Sequence, residues 1–218
     1  MASHAVLTAA LAGIPSGLQA QGAWAGRRQM FVRFAAEAET ATMYTADALA
    51  NEMKRSMSRS SFHSISIAGR DPLANVEYIK AVFSKADLGL PVMLDCDGQR
   101  PQEIHGVRDV VTLVQVTLEG ASAEATADRA FESIAEAAKA GLQHAAVLCV
   151  DERATDAQVL RFVERAHGTS ESVSVVIHPS AGVPVDRDRR WITLFERIAS
   201  LHGDARLALR LPPPRVTV

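Results

Sequence analysis

Short apolar runs alternate along the chain with longer stretches in which apolar residues recur every three or four positions. The runs Met30–Phe34, Ser64–Ala68, Pro91–Asp95, Asp109–Thr117, Ala145–Val150, Val173–Ile177 and Ala205–Leu211 read as strands. They are apolar runs rather than clean alternations, the pattern of parallel strands buried on both faces. Thr45–Ser56, Asp71–Lys85, Ala123–Ala140, Thr155–His167 and Asp188–Leu201 read as helices. In the second of these, Asp71 is placed to cap, Pro72 suits the first helical position, and Leu73, Val76, Ile79 and Val82 share a face. Thr155 and Gln158 have capping-box spacing before a helix that ends near Gly168. Trp191, Phe195 and Ile198 form one stripe and read as core.

This rhythm predicts an α/β fold. Its even spacing favours a partial (β/α) TIM-like barrel of about 6–7 parallel strands over an open doubly wound sheet. No Gly-rich dinucleotide fingerprint follows the first strand. No linker or compositional shift divides the chain, so residues 1–218 are expected to form one domain, with 1–28 packing on the barrel.

Composition narrows the function classes. The 218 residues are 48% hydrophobic and 22% charged, which excludes disordered, collagen-like and coiled-coil classes. A net charge of −2 gives no basic excess for nucleic-acid binding. The short basic clusters Arg27-Arg28 and Arg187 with Arg189-Arg190 read as solvated surface. Cys96 and Cys149 are the two cysteines; they lie far apart, form no paired motif, and read as inert buried thiols in a cytoplasmic protein. Ala5–Ile14 imitates a signal-peptide core, but no Lys or Arg precedes it and Gly13 and Pro15 break it. No run reaches the roughly 20 apolar residues of a membrane span.

In parallel α/β folds ligands sit at the carboxyl ends of the strands, so the segments that follow each strand carry the candidate chemistry. Gly17-Leu18-Gln19-Ala20-Gln21-Gly22-Ala23-Trp24-Ala25-Gly26-Arg27, followed by Phe31-Val32-Arg33-Phe34-Ala35, resembles the opening of radical S-adenosylmethionine (SAM) enzymes of the 7-carboxy-7-deazaguanine synthase type. That family reads Q-G-E-G, W/Y-A-G-R and F-V-R-F-A-G-C. Ile67-Ala68-Gly69-Arg70-Asp71-Pro72-Leu73 resembles its T-G-G-E-P-L, and Leu94-Asp95-Cys96-Asp97-Gly98 its E-T-N-G. The four segments stand in register over about the first half of the chain. The second half shares only the strand–helix rhythm.

The resemblance implies SAM contacts at Gly69, Asp71 and Asp97, and substrate contacts at Gln21 and Arg33. It also implies a homodimer. The chain departs from the family at the reaction centre. The family's C-x3-C-x2-C loop, whose thiolates hold a 4Fe–4S cluster, falls on Glu37, Ala41 and Tyr44. The family's Asp-Thr falls on Thr45-Ala46, Gln21 replaces a substrate-binding Glu, and Arg70 replaces a Gly that approaches SAM. The family frame without its cluster implies no radical chemistry and no resident cofactor; SAM binding without the iron anchor stays open.

Each candidate has a plainer reading beside the functional one. Arg33 grips an anion, or pairs with Asp71 or Asp95. Asp71 meets an ammonium group, or caps its helix. Glu37, Glu39, Asp95, Asp97, Glu119, Asp151, Glu152 and His178 converge as a metal site, or are solvated loop groups, since no His-x-His or His-Glu-x-x-His spacing supports convergence. His178 and Glu37 are the acid–base candidates. Three readings follow. The first is a cluster-free pseudoenzyme that binds a small ligand or a partner. The second is a repurposed non-radical enzyme using Glu37, Asp95, Asp97 and His178. The third is a structural subunit beside an intact radical SAM enzyme.

Overall fold

A computed structural model describes residues 6–120, 123–179, 185 and 189–208, the backbone alone at 123 and 124. Among the described residues ten strands form one sheet: β1 (Thr8–Gly13), β2 (Ser16–Leu18), β3 (Arg28–Phe34), β4 (Thr42–Thr45), β5 (Ser64–Gly69), β6 (Val92–Cys96), β7 (Leu113–Glu119), β8 (Gln143–Val150), β9 (Ser174–Pro179) and β10 (Ala205–Leu207). Their order is β10-β9-β8-β7-β6-β5-β3-β1-β4, with β2 paired to β3. From β3 to β10 every pairing along this path is parallel. β1, β2 and β4 are antiparallel additions. The chain is thus α/β with a largely parallel sheet that ends at β10 and β4.

Helices α1 (Ala46–Arg59), α2 (Val76–Lys85), α3 (Ala123–Lys139), α4 (Asp156–Thr169) and α5 (Arg189–Leu201) cover one face of this sheet. Leu49 and Met53 of α1, Ile79 and Val82 of α2, Ile134 of α3, Val163 of α4 and Trp191 of α5 join one core. The strands contribute Val32, Ile67, Leu94, Val116, Leu148 and Ile177. Burial of this apolar face favours folding by about 25 cal/mol per Å² removed from water.

Local signals act as their chemistry dictates. Thr45 caps α1, its hydroxyl accepting from the Ala48 amide at 3.1 Å. Thr155 and Gln158 form the expected reciprocal capping box on α4. Asp71 does not cap: it sits in the left-handed region at φ 42°, makes no capping hydrogen bond, and is held instead by Arg100 at 2.7 and 2.9 Å. The helix expected from Asp71 begins as a 3-10 turn, Pro72–Asn75, before α2. The strand expected from Asp109 begins only at Leu113. A 3-10 helix, Pro101–Val107, precedes it, and Ile104, Val107 and Val111 spend their apolarity on one helical-spaced stripe in the core. The signal-like run is β1, whose Ala9 and Leu11 face the core. Arg187, Asp188 and the residues after Ala208 lie outside the described residues. No described helix is long and apolar enough to cross a membrane.

Candidate functional site

The parallel strands turn their other face toward a turn formed by residues 19–27. That turn is closed by its own backbone: the Gln19 amide donates to Arg27 O at 2.9 Å and the Gly26 amide to Gln19 O at 2.9 Å. Polar side chains of the sheet then hold it in place. The Gly22 amide donates to His178 Nε2 at 2.8 Å. The Ala23 amide donates to Gln115 Oε1 at 3.0 Å. Gln19 Nε2 donates to Asp95 Oδ2 at 3.5 Å, and the Cys149 thiol to Gln21 Oε1 at 3.6 Å. Trp24 packs over Met93, Leu113 and Ala145. This turn carries the Gln-Ala-Gln-Gly-Ala-Trp segment, and it roofs the inner face of β6–β9.

Gly22 explains how the roof approaches so closely. Its φ is +80°, and a Cβ there would lie 1.8 Å from Gln115 Oε1. Only glycine meets both conditions without displacement.

The inner face is polar toward the carboxyl ends of its strands. Thr117 Oγ1 donates to Asp95 Oδ1 at 3.0 Å. Asp95 is the register partner of Gln115, and Cys149 of His178. Gln19, Ser66, Gln115 and His178 are all at most 3% exposed. Among the described residues, Ser66 Oγ and Gln115 Nε2 are buried without a hydrogen-bond partner. These orphaned groups are costly, and such costs concentrate where a fold serves a ligand.

The structure distributes the sequence candidates unevenly. Asp95, Cys149 and His178 each hold a different residue of the turn, Gln19, Gln21 and Gly22 respectively. His178 Nε2 acts as an acceptor, which requires the proton on Nδ1. Arg33 does not pair with Asp71 or Asp95; Glu39, six residues on, takes its guanidinium at 2.5 Å and also accepts the Ala36 amide at 3.0 Å. The Ala36 amide and then the Arg33 charge hold the Glu39 carboxyl below its ordinary range. Glu37 and Ala41 are exposed, and Tyr44 is built into β4 opposite Ala9. Asp97 is exposed and accepts the Gln99 amide at 3.1 Å. Gly69 has a packing reason of its own: at φ +97°, a Cβ would lie 2.2 Å from Phe34 O. Among the described residues no group of three or more His, Cys, Asp or Glu is placed to hold a metal ion. The eight groups weighed as a metal site are therefore not brought together as one.

Both thiols are buried. Burial pushes Cys96 up to about 12, so it is neutral and unreactive at physiological pH. Ser66, Gln115 and Thr117 escape a reading of apolar runs. The signal is there at period two: Ser64 and Ser66 in β5, and Gln115, Thr117 and Glu119 in β7, place a polar group at every second position.

No protein-family model and no curated protein matches this chain. Among solved structures, it is similar to 3-keto-D-glucoside 4-epimerase from E. coli in its apo form, at a TM-score of 0.35 and 14% identity, covering 77% of this chain and 89% of that one.

Proposed function

We propose that the chain is a cluster-free, radical-SAM-like protein. Its partial (β/α) barrel binds a small polar ligand under the Gln19–Trp24 turn and performs no radical chemistry. The observation that carries this reading is the fate of the cluster loop. The positions that resemble the family's cysteines hold an exposed Glu37, an exposed Ala41 and a Tyr44 paired into β4. Both thiols stand elsewhere, at the ends of β6 and β8, and both are buried. These residues do not fit an iron–sulfur cluster, which needs accessible thiolates converging on one loop. The barrel reading is supported by the consecutive parallel order from β3 to β10 and by the polar inner face at the strands' carboxyl ends. The ligand-binding reading is supported by buried amide and hydroxyl groups on this face of the sheet, two of them with unused hydrogen-bonding capacity among the described residues.

Nothing described favours the acid–base alternative over this reading. Glu37 and Asp97 are exposed at separate loops, while His178 is fully buried with Nε2 committed to Gly22.

Anaerobic reconstitution with iron and sulfide tests the cluster-free reading. Iron and acid-labile sulfide far below one cluster per chain are expected; a value near one per chain overturns it. Thermal unfolding with and without millimolar SAM tests what the cleft retains. A ligand held by the folded state alone stabilises it by about 2.7 kcal/mol at a hundredfold excess over Kd. With Arg70 in place of the family's Gly and the iron anchor absent, no shift is expected.

A further inference from the structure

A second concavity lies on the helix-covered face, away from the roofed site. It has a volume of about 660 Å³ and opens between α3 and α4 beyond the carboxyl ends of β7 and β8. Ligand pockets generally span roughly 300–1,000 Å³. Its floor is apolar: Leu148 and Val150 from β8, with Phe131 of α3 against Phe162 of α4, ring centroids 5.5 Å apart. Its rim carries Arg153, Arg161 and Arg165 against Asp151 and Glu164.

The three arginines differ in what they already do. Arg165 is anchored: its guanidinium lies 4.7 Å over the Phe131 ring and pairs with Asp128 at 2.6 Å. It forms a fixed wall. Arg153 and Arg161 are exposed, and neither has an ion-pair partner among the described residues. One oxygen of Asp151 is engaged by the Arg153 amide at 2.9 Å. Two guanidinium groups without an ion-pair partner among the described residues therefore stand beside a cavity with aromatic and aliphatic walls. An apolar floor offers a hydrated ion nothing. An apolar body bearing one anionic head satisfies both parts, because guanidinium binds carboxylate in a planar two-point contact.

We propose that the α3–α4 cavity binds a medium-chain carboxylate, its chain against Phe131 and Phe162 and its head at Arg153 and Arg161. This site is separate from the roofed inner face and does not depend on what binds there.

Isothermal titration calorimetry on the full chain tests it with hexanoate, octanoate and decanoate below their micellar concentrations. Saturable binding at one site is expected, tightening about fourfold per added methylene, as burial of each CH2 requires. Decanol and decyltrimethylammonium should bind at least fivefold more weakly than decanoate. The double variant Arg153→Gln, Arg161→Gln should lose about tenfold in decanoate affinity. Both positions are exposed, so its far-ultraviolet circular dichroism and melting temperature should be unchanged. Ala127→Phe, which fills the cavity, should abolish binding. The proposal is overturned if decanoate gives no saturable heat at millimolar concentration. It is equally overturned if the neutral or cationic probe binds as tightly, or if the double variant retains full affinity.

Discussion

The two faces of the sheet obey different rules. On the helix side, β5, β6 and β7 present Ile65, Ile67, Leu94, Val114 and Val116 to a continuous apolar core. On the other side the same three strands present Ser64, Ser66, Asp95, Gln115 and Thr117. One face is packed almost wholly from apolar side chains, with the orphaned Tyr78 hydroxyl as an exception. The other buries polar groups, spends several of them on holding a nine-residue turn, and leaves Ser66 Oγ and Gln115 Nε2 unmatched. Stability alone would not arrange strands this way, since apolar residues at those positions would cost less. The difference puts most of the apolar core on the helix side and most of the buried polar network on the roofed side.

The sharpest way to break that division is to damage each face in kind. Ile67 is fully buried on the helix side. Ile67→Ala should destabilise the protein by about 2–5 kcal/mol, as deletions in close-packed cores do. Urea denaturation followed by circular dichroism reads this directly. A cost below about 1 kcal/mol would mean that the helix-side core is loosely packed and the contrast is misdrawn.

Gly22→Ala attacks the roof. The new Cβ meets Gln115 Oε1 and a φ of +80°. The left-handed backbone costs about 1–2 kcal/mol and the overpacking a similar amount, so about 2–4 kcal/mol is expected in the same denaturation. Gln115 can yield only by giving up its bond to Ala23. The ligand-binding reading adds a second consequence: the variant should lose affinity for whatever the inner face holds, while its decanoate binding at the α3–α4 cavity stays intact.

Much of the fold was legible because the helix-side face needs apolar residues and those residues say so. The parallel strands and all five helices stand out as runs or stripes; β1, β2 and β4 do not. β1 is small and interrupted, with Thr-Ala-Ala-Leu-Ala-Gly imitating a signal-peptide core. β4, Thr-Met-Tyr-Thr, is four residues long and abuts a helix cap, so it reads as part of the preceding loop. The candidate site was legible in pieces. Gln21 is marked only by the family resemblance, and Asp95 and His178 by their place at or just after strand ends, but Ser66 and Gln115 lie inside runs that look uniformly buried. Arg33 pairs locally with Glu39, six residues on, rather than across the sheet with Asp71 or Asp95, and a local pair inside a loop leaves no periodic mark in the sequence. The arginine rim of the α3–α4 cavity leaves no linear mark, since Arg153 precedes α4 and Arg161 lies within it.

His178 separates a structural from a chemical role for the inner face. Its Nε2 accepts the Gly22 amide inside the protein. His178→Leu leaves that buried donor unmet, at a cost of about 1–3 kcal/mol. His178→Gln offers a side-chain oxygen in its place and should recover part of the loss. Equal destabilisation by both variants would show that the imidazole's shape, and not its acceptor, holds the turn.

Ser66→Ala has the smallest expected effect and the most informative sign. The hydroxyl is fully buried on the inner face, beside Met93 in register, and has no hydrogen-bond partner. Its removal relieves a desolvated polar group without opening a cavity. Stability should therefore stay level or rise by up to about 1 kcal/mol. Any core position on the opposite face would respond in the other direction. If Ser66→Ala instead destabilises the purified protein, the hydroxyl has a partner in solution on that face of the sheet. The same variant should then show a weaker stabilising response to the inner-face ligand, which ties the orphaned hydroxyl to binding rather than to folding.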